Sequence, residues 1–416
     1  MKNLKLIGPI TQLLTLDKLP KKGALKDEQL EILEDAGILV EDEKILEVGS
    51  FHDLLKKAKS LNAETIELKG DLVALPGWID CHTHICFGGN RANDFAMRIS
   101  GKSYLEIAEA GGGIWDTVTQ TRKLNRVELA ERTIINANTH LSDGVTTIEV
   151  KSGYGLTVAE ELKMLRAIQQ ANSKTSADLI PTCLAAHMKP RDFEGTNQEY
   201  LEMISTELFP ILKSENLADR IDSFIEKSAF SPEEIESYFQ KAKNLGFDLT
   251  VHADQFTTGG SAVAVKFNAK SADHLEASTE TEIALLAKSE TVAVALPGAS
   301  IGLGCAFTPA RKILDQGGSL AIGSDWNPGS APMGDLLTQA SILATFEKLS
   351  TAEVFSALTF RAALALGVED RGVLKAGLRA DFIFFPAADY REILYQQGKL
   401  KPSQVWKQGE LVSDKQ

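Results

Sequence analysis

A chain of 416 residues, 44% hydrophobic and 24% charged, has material for a large barrel with a small companion domain. A net charge of −13 argues against a nucleic-acid or anionic-membrane partner, since those surfaces require a basic field. It leaves room for a small anionic substrate, which needs only one or two local cations. Four scattered cysteines form no disulfide framework, and no apolar run approaches the ~20 residues that span a membrane. The stretch MKNLKLIGPITQLLTLDK lacks the apolar segment and cleavage site of a signal peptide. A reduced, soluble, cytoplasmic protein is expected.

Residues 1–75 read as short β-like pieces, at 36–40, 44–48 and 65–68, joined by polar turns and interrupted by a helix-like stretch at 51–60. Such pieces predict a small antiparallel sheet that is too small to stand alone. Segments 380–385 and 404–407 offer partners of the same kind. Residues 1–75 and 368–416 are therefore expected to form one composite β-sandwich domain beside a central unit at 76–367.

The central unit opens on PGWIDCHTHICFGGNR at 76–91, an apolar run ending in His82-Thr83-His84. In an extended strand, residues i and i+2 share a face about 6–7 Å apart, so two imidazoles there can converge on one cation. Alternation sends Cys81 to the opposite face, against a closed Cys/His zinc knuckle. A long loop with Gly88-Gly89 and Gly111-Gly112-Gly113 follows, then a helix over 126–141. Strands at 146–150, 177–185, 220–225, 247–251, 271–273, 291–296 and 319–323 then alternate with helical stretches. Ser231-Pro232 caps one of these helices, and helices near 333–349 and 351–366 come last. With the first strand there are eight, and eight βα units imply a closed (β/α)8 TIM-like barrel.

Active sites of such barrels form at the strands' C-terminal ends. His82 and His84 end strand one, Lys151-Ser152-Gly153-Tyr154 strand two, His187 strand three, His252-Ala253-Asp254-Gln255 strand five, His274 strand six and Ser324-Asp325-Trp326-Asn327 strand eight. Five of the seven histidines fall at strand ends; His52 and His140 lie in helix-like segments and read as structural or solvated. Three neutral imidazoles with a carboxylate suit one divalent metal ion, Zn or Fe, and leave an open position for hydrolytic chemistry.

VALPGWIDCHTH, a strand-five His, a strand-six His and GSDWNPG together resemble the amidohydrolase superfamily. FGGNRANDFAMRISGKSYLEIAEAGGGI, EVKSGYGL, HADQ, SADHLE, LPGA and DWNPGS are similar to the imidazolonepropionases, cyclic-amide hydrolases of histidine degradation. The resemblance implies metal ligands His82, His84, His252 and Asp325. It implies substrate contacts from Arg91, Tyr104, Tyr154, His187 and Gln255, with Asn327, Gly329 and Ser330 at positions that hold the opened product. Arg91 would pair with a substrate carboxylate. The implied reaction is metal-dependent hydrolysis of 4-imidazolone-5-propanoate to N-formimidoyl-L-glutamate, the third step of histidine degradation, in a cytoplasmic homodimer. His274, Asp325 and Gln255 are the expected catalytic groups. Gln255 stands where some relatives carry Glu, and cannot take a proton, so proton transfer falls to His274, Asp325 or the metal centre. Lys151 lies on the wrong strand for a metal-bridging carboxylated lysine. Of Glu226 and Lys227, Glu226 is expected to face inward, consistent with one metal. The alternatives are an aminohydrolase deaminating a small heterocycle, disfavoured by Gln255, and a non-catalytic metal-site scaffold, disfavoured by the intact ligand set.

Overall fold

The computed structural model describes residues 3–102, 106–107 and 110–415. Two sheets carry the chain. The first strands are β1 (Leu4–Leu14), β2 (Ile32–Glu41), β3 (Lys44–Ser50), β4 (Glu64–Glu67) and β5 (Val73–Pro76). Eight short strands follow: β6 (Trp78–Asp80), β7 (Val145–Lys151), β8 (Asp178–Ala186), β9 (Arg220–Ser223), β10 (Asp248–Ala253), β11 (Ser271–His274), β12 (Val292–Ala295) and β13 (Leu320–Ile322). The C-terminal segment adds β14 (Phe382–Phe385), β15 (Gln404–Lys407) and β16 (Glu410–Asp414).

Strands β6 to β13 pair in sequence order, all parallel, with helices packed outside, as a (β/α)8 barrel. β6 and β13 do not pair as strands; the segments just beyond them close the ring. Asp325 N–H donates to His82 O at 3.0 Å, and His84 N–H to Trp326 O at 3.0 Å. The closing seam thus runs through three candidate metal ligands. On β7, Ile148 and Val150 pack outward into the barrel–helix core, while Glu149 and Lys151 turn inward.

The other sheet runs β16-β15-β14-β5-β1-β2-β3, with β4 also on β1. It is mixed rather than purely antiparallel, because β1 pairs in parallel with β4 and β5. Its apolar face gathers Ile7, Ile38, Val40, Phe382, Phe384 and Trp406 into a separate core. Trp78 at the barrel's start lies 5.8 Å from Phe355 and 6.1 Å from Phe385 of β14, so one strand of the small sheet also contributes to the barrel's core. Asp178, the first residue of β8, ties the sheets by charge: it meets Lys407 Nζ at 2.7 Å, Arg379 Nη1 at 2.9 Å, and Arg371.

The Gly-rich stretch after His84 is not all loop. Helices Ala92–Ile99 and Ile114–Lys123 form within it. The last predicted helix is two, Thr351–Ala357 and Phe360–Leu366. It breaks where Leu358 O accepts a 2.8 Å hydrogen bond from Ile79 N–H of β6, which draws that carbonyl out of the helical ladder. No helix among the described residues is long and apolar enough to cross a membrane.

Candidate active site

Three imidazoles converge at the strand ends. His82 and His84 follow β6, and His252 sits near the end of β10. All three are buried, and their candidate ligand nitrogens lie within 4.8 Å of one another. Asp325 joins them from beyond β13, its Oδ1 3.5 Å from His82 Nε2 and 3.4 Å from His84 Nε2. His252 Nε2 stands 3.3 Å from His84 Nε2.

Two of these rings are oriented from behind. His82 Nδ1 is 2.7 Å from Asp273 Oδ2, and His252 Nδ1 is 2.9 Å from Asp222 Oδ2. A carboxylate on Nδ1–H leaves the Nε2 lone pair facing the cluster. Burial holds His82 and His84 well below the ordinary imidazole range and lowers His252 to about 3. His82 Nε2 is buried without a hydrogen-bond partner. Neutral imidazoles with inward lone pairs beside a carboxylate fit a divalent cation.

Backbone strain gathers here as well. Asp325, Asp254, His274 and Leu275 have φ of +50°, +51°, +85° and +73°, conformations that residues with a Cβ rarely adopt. Asp80 steadies the seam, its Oδ1 accepting from His82 N–H (3.3 Å) and Ser324 N–H (3.0 Å). His140 Nε2 lies 3.2 Å from the other Asp80 oxygen, and its ring packs edge-on to Trp326 at 4.7 Å. His140 is therefore buried and structural, whereas His52 is exposed.

The remaining candidates surround the cluster. Tyr154 and His187 each place a ring 5.8 Å from that of His84. Buried Glu161 shapes the Tyr154 loop by accepting the N–H groups of Gly153, Gly155 and Leu156 at 3.1, 2.8 and 2.7 Å. His187 Nδ1 donates to Gly153 O at 3.0 Å, so its Nε2 is an acceptor. His274 lies 5.4 Å from the His252 ring, with Glu276 Oε1 3.5 Å from its Nδ1. Gln255 is half-buried, and its side-chain amide makes no hydrogen bond among the described residues. Asn327 is occupied by its own loop: Oδ1 accepts from Gly329 N–H (2.7 Å) and Ser330 N–H (2.8 Å), and Nδ2 donates to Asp325 O (2.6 Å). Ser330 Oγ donates to Asp325 Oδ2 at 3.3 Å. Arg91 is bound through Nε to Asp94 at 2.7 Å and lies against Gly329, where any Cβ would strike its guanidinium. A cavity of about 440 Å³ is lined by Phe87, Arg91, Phe95, Trp326 and Asn327 among others. Tyr104 lies outside the described residues. Glu226 is buried and Lys227 exposed; Glu226 Oε2 accepts Phe256 N–H and Thr257 N–H, each at 3.0 Å, anchoring the loop after Gln255.

A profile of the Amidohydrolase family matches residues 106–413. The imidazolonepropionase of Acinetobacter baumannii (strain AB307-0294) is 40% identical over 393 residues, spanning 94% of this chain and 97% of that protein. The Bacillus cytotoxicus imidazolonepropionase is 37% identical over 414 residues, with 98% and 96% covered. The chain belongs to the amidohydrolase family. Among solved structures, a triazine hydrolase variant superposes with a TM-score of 0.77 at 18% identity, covering 99% of this chain and 95% of that one. An atrazine chlorohydrolase from Arthrobacter aurescens in complex with zinc superposes with a TM-score of 0.75 at 18% identity over the same shares. Those two likenesses establish the shared fold.

The electrostatics of this amidohydrolase divide its polar groups by role. Burial lowers His187 to about 4, so it is neutral at neutral pH. Burial, with Asp325 adding, pushes the Tyr154 hydroxyl well above its usual range, so it remains a donor. Burial raises Asp325 to about 6. His274 is raised although burial opposes it, because the Glu276 and Asp325 carboxylates favour its charged form.

Several residues here escaped the sequence reading: Asp80, Glu161, Glu276, and the carboxylates Glu149, Asp222 and Asp273 that form, with Lys151, a buried layer beneath the histidines. Their signal is the recurrence of polar residues at every second position of otherwise apolar strands, at 149 and 151, 220 and 222, 250 and 252, and 271 and 273.

Proposed function

We propose that this amidohydrolase opens the ring of 4-imidazolone-5-propanoate to N-formimidoyl-L-glutamate. The observation that carries this reading is the convergence of His82, His84, His252 and Asp325 in a chain 40% identical to an imidazolonepropionase over 94% of its length. Those four side chains would hold one divalent ion, zinc or iron. Such an ion supplies Lewis acidity, making water nucleophilic near neutral pH.

The chain's own groups then perform the rest. Water oxygen adds to the ring carbonyl carbon, and the C–N bond to the ring nitrogen breaks. Asp325 takes a proton from water and delivers it to the leaving nitrogen, so the ring opens between the new carboxylate and the formimidoyl group, which stay joined through the α-carbon and its nitrogen. His274, favoured in its charged form by Glu276, donates to the carbonyl oxygen as negative charge develops. His187 Nε2 accepts from a ring N–H, Tyr154 donates its hydroxyl, and the Gln255 amide makes neutral contacts. Arg91 receives the propionate. Asn327 and Gly329 keep the product-side loop shaped around Arg91, with Ser330 beside Asp325. Residues 76–367 are in this reading the catalytic barrel, and 1–75 with 368–416 its supporting domain. A cytoplasmic homodimer completes the proposal.

The test is incubation of freshly prepared imidazolonepropionate with purified protein, with and without a chelator. Formimidoyl-glutamate that forms only in the metal-replete sample is expected. Release of ammonia with the ring retained would replace this reading with an aminohydrolase.

A further inference from the structure

The layer beneath the histidines holds three carboxylates around one ammonium. Lys151 is fully buried. Its Nζ is 2.8 Å from Asp222 Oδ2, 2.8 Å from Glu149 Oε2 and 3.7 Å from Asp273 Oδ2. An ammonium offers three N–H donors, and here three carboxylates face it. The two aspartate oxygens it meets are the same ones that face ligand histidines: Asp222 Oδ2 meets His252 Nδ1 at 2.9 Å, and Asp273 Oδ2 meets His82 Nδ1 at 2.7 Å. Lys151 on β7 therefore reaches His252 on β10 through Asp222 Oδ2 at contact distance, and His82, just past β6, through Asp273 Oδ2 at the longer 3.7 Å.

The rest of the layer fixes what Lys151 does not. Asp222 Oδ1 accepts from Ser223 N–H (2.7 Å) and His252 N–H (3.3 Å), leaving Oδ2 to Lys151 and the ring. Thr250 Oγ1 donates to Asp273 Oδ2 at 3.1 Å. Arg220 stands below, its Nε 3.8 Å from Glu149 Oε1, farther from the histidines' carboxylates.

We propose that Lys151 is a positioning residue for the metal site, holding Asp222 and Asp273 so that His252 and His82 both carry the proton on Nδ1 and present Nε2 to the ion. The inference rests on the metal-hydrolase reading above, and it extends that reading to a residue that touches neither ion nor substrate. An ionised carboxylate is purely an acceptor, so the imidazole nitrogen facing it is the N–H; the Lys151 ammonium favours that state of Asp222 at 2.8 Å, and at 3.7 Å it opposes the burial that raises Asp273. Groups behind metal ligands change metal affinity by roughly 10–100-fold when removed.

The experiment measures zinc affinity by competition with a chromophoric chelator, alongside long-range 1H–15N spectra of metal-free protein labelled at histidine nitrogen. Lys151→Met removes the ammonium. Glu149→Gln/Lys151→Met removes one charge of each sign, so the buried layer keeps its net charge and the fold is less exposed to unpaired carboxylates. Lys227→Met, at an exposed lysine, is the control. The expected result is zinc bound roughly 10–100-fold more weakly by the Lys151 variants, with the His82 and His252 signals leaving the Nδ1–H pattern, while Lys227→Met matches the wild type. A folded Lys151 variant that binds zinc within about twofold of wild type and keeps both signals would overturn the proposal. The wild-type spectra decide even where a variant does not fold: either ring found as the Nε2–H tautomer overturns it. Zinc affinity is read without substrate. Wild-type protein that binds zinc with both rings as Nδ1–H yet leaves imidazolonepropionate intact would refute the proposed reaction and not the role of Lys151.

Discussion

Gly329 is where a single methyl group tests the placement of Arg91. An alanine Cβ there would collide with Arg91 Nη1 and come within 2.7 Å of the guanidinium carbon. Gly329 is not among the glycines with left-handed φ, so alanine suits the backbone and only the space is contested. The obstructing atoms are the far end of a flexible side chain. Arg91 can swing aside, giving up its 2.7 Å contact with Asp94 rather than unfolding the loop. The perturbation should therefore remove a cation from the substrate's carboxylate, with the loss of stability confined to the broken Arg91–Asp94 pair. A hydrogen bond to a charged group contributes about 1.5–3 kcal/mol, which is roughly 10–150-fold in binding. The assay is kcat and KM for Gly329→Ala on imidazolonepropionate and on an analogue whose propionate is converted to the amide. KM should rise roughly 10–150-fold on the acid, and the variant and wild type should behave alike on the amide. An equal loss on both substrates, or an unchanged KM on the acid, would refute the placement of Arg91 as the carboxylate's partner.

Other perturbations follow from the same geometry. Asp325→Asn should fold normally and lose turnover by roughly 10²–10⁴-fold, the usual contribution of a positioned proton-transfer group; near-normal kcat in metal-replete protein would contradict its role. Glu161→Ala strands three buried backbone N–H groups, each costing about 1–3 kcal/mol, so urea denaturation should register a loss of about 3 kcal/mol or more, with a raised KM as the Tyr154 loop loosens. Asp178 is only partly desolvated, and although burial opposes it, Lys407, Arg371 and Arg379 hold its carboxyl below the usual range. A depressed carboxylate stabilises the fold above its unfolded pKa of about 3.9 and stops doing so as pH falls through the lower folded value. Asp178→Asn should thus cost ~1–2 kcal/mol at pH 7, and its difference from wild type should shrink as pH drops below about 4; a constant difference from pH 7 to 2 would exclude the ion cluster as the cause.

The barrel was legible because the strands announce themselves locally as apolar runs and several of the intervening helices by a cap such as Ser231-Pro232. The strand-end histidines followed from that alternation. What stayed hidden depends on several strands at once. Lys151 beside Asp222 and Asp273 is a contact among β7, β9 and β11 that no one-strand pattern predicts. β1 is missing from the β-like pieces at 36–40, 44–48 and 65–68; its Gly8-Pro9 pair sits at a register shift between Ile7 and Ile10, a bulge where a ladder tolerates proline. The helix at Ala92–Ile99 was masked by its glycine-rich surroundings, and it is this helix that brings Asp94 to Arg91.

The most direct measurement is turnover of imidazolonepropionate in ¹⁸O-labelled water, with the product read by mass spectrometry. One labelled oxygen in the carboxylate next to the α-carbon, and none in the formimidoyl group, is the predicted result, since water adds to the ring carbonyl carbon and the C–N bond breaks there. Label at the formimidoyl carbon, or a ring that stays closed while ammonia is released, would contradict the account.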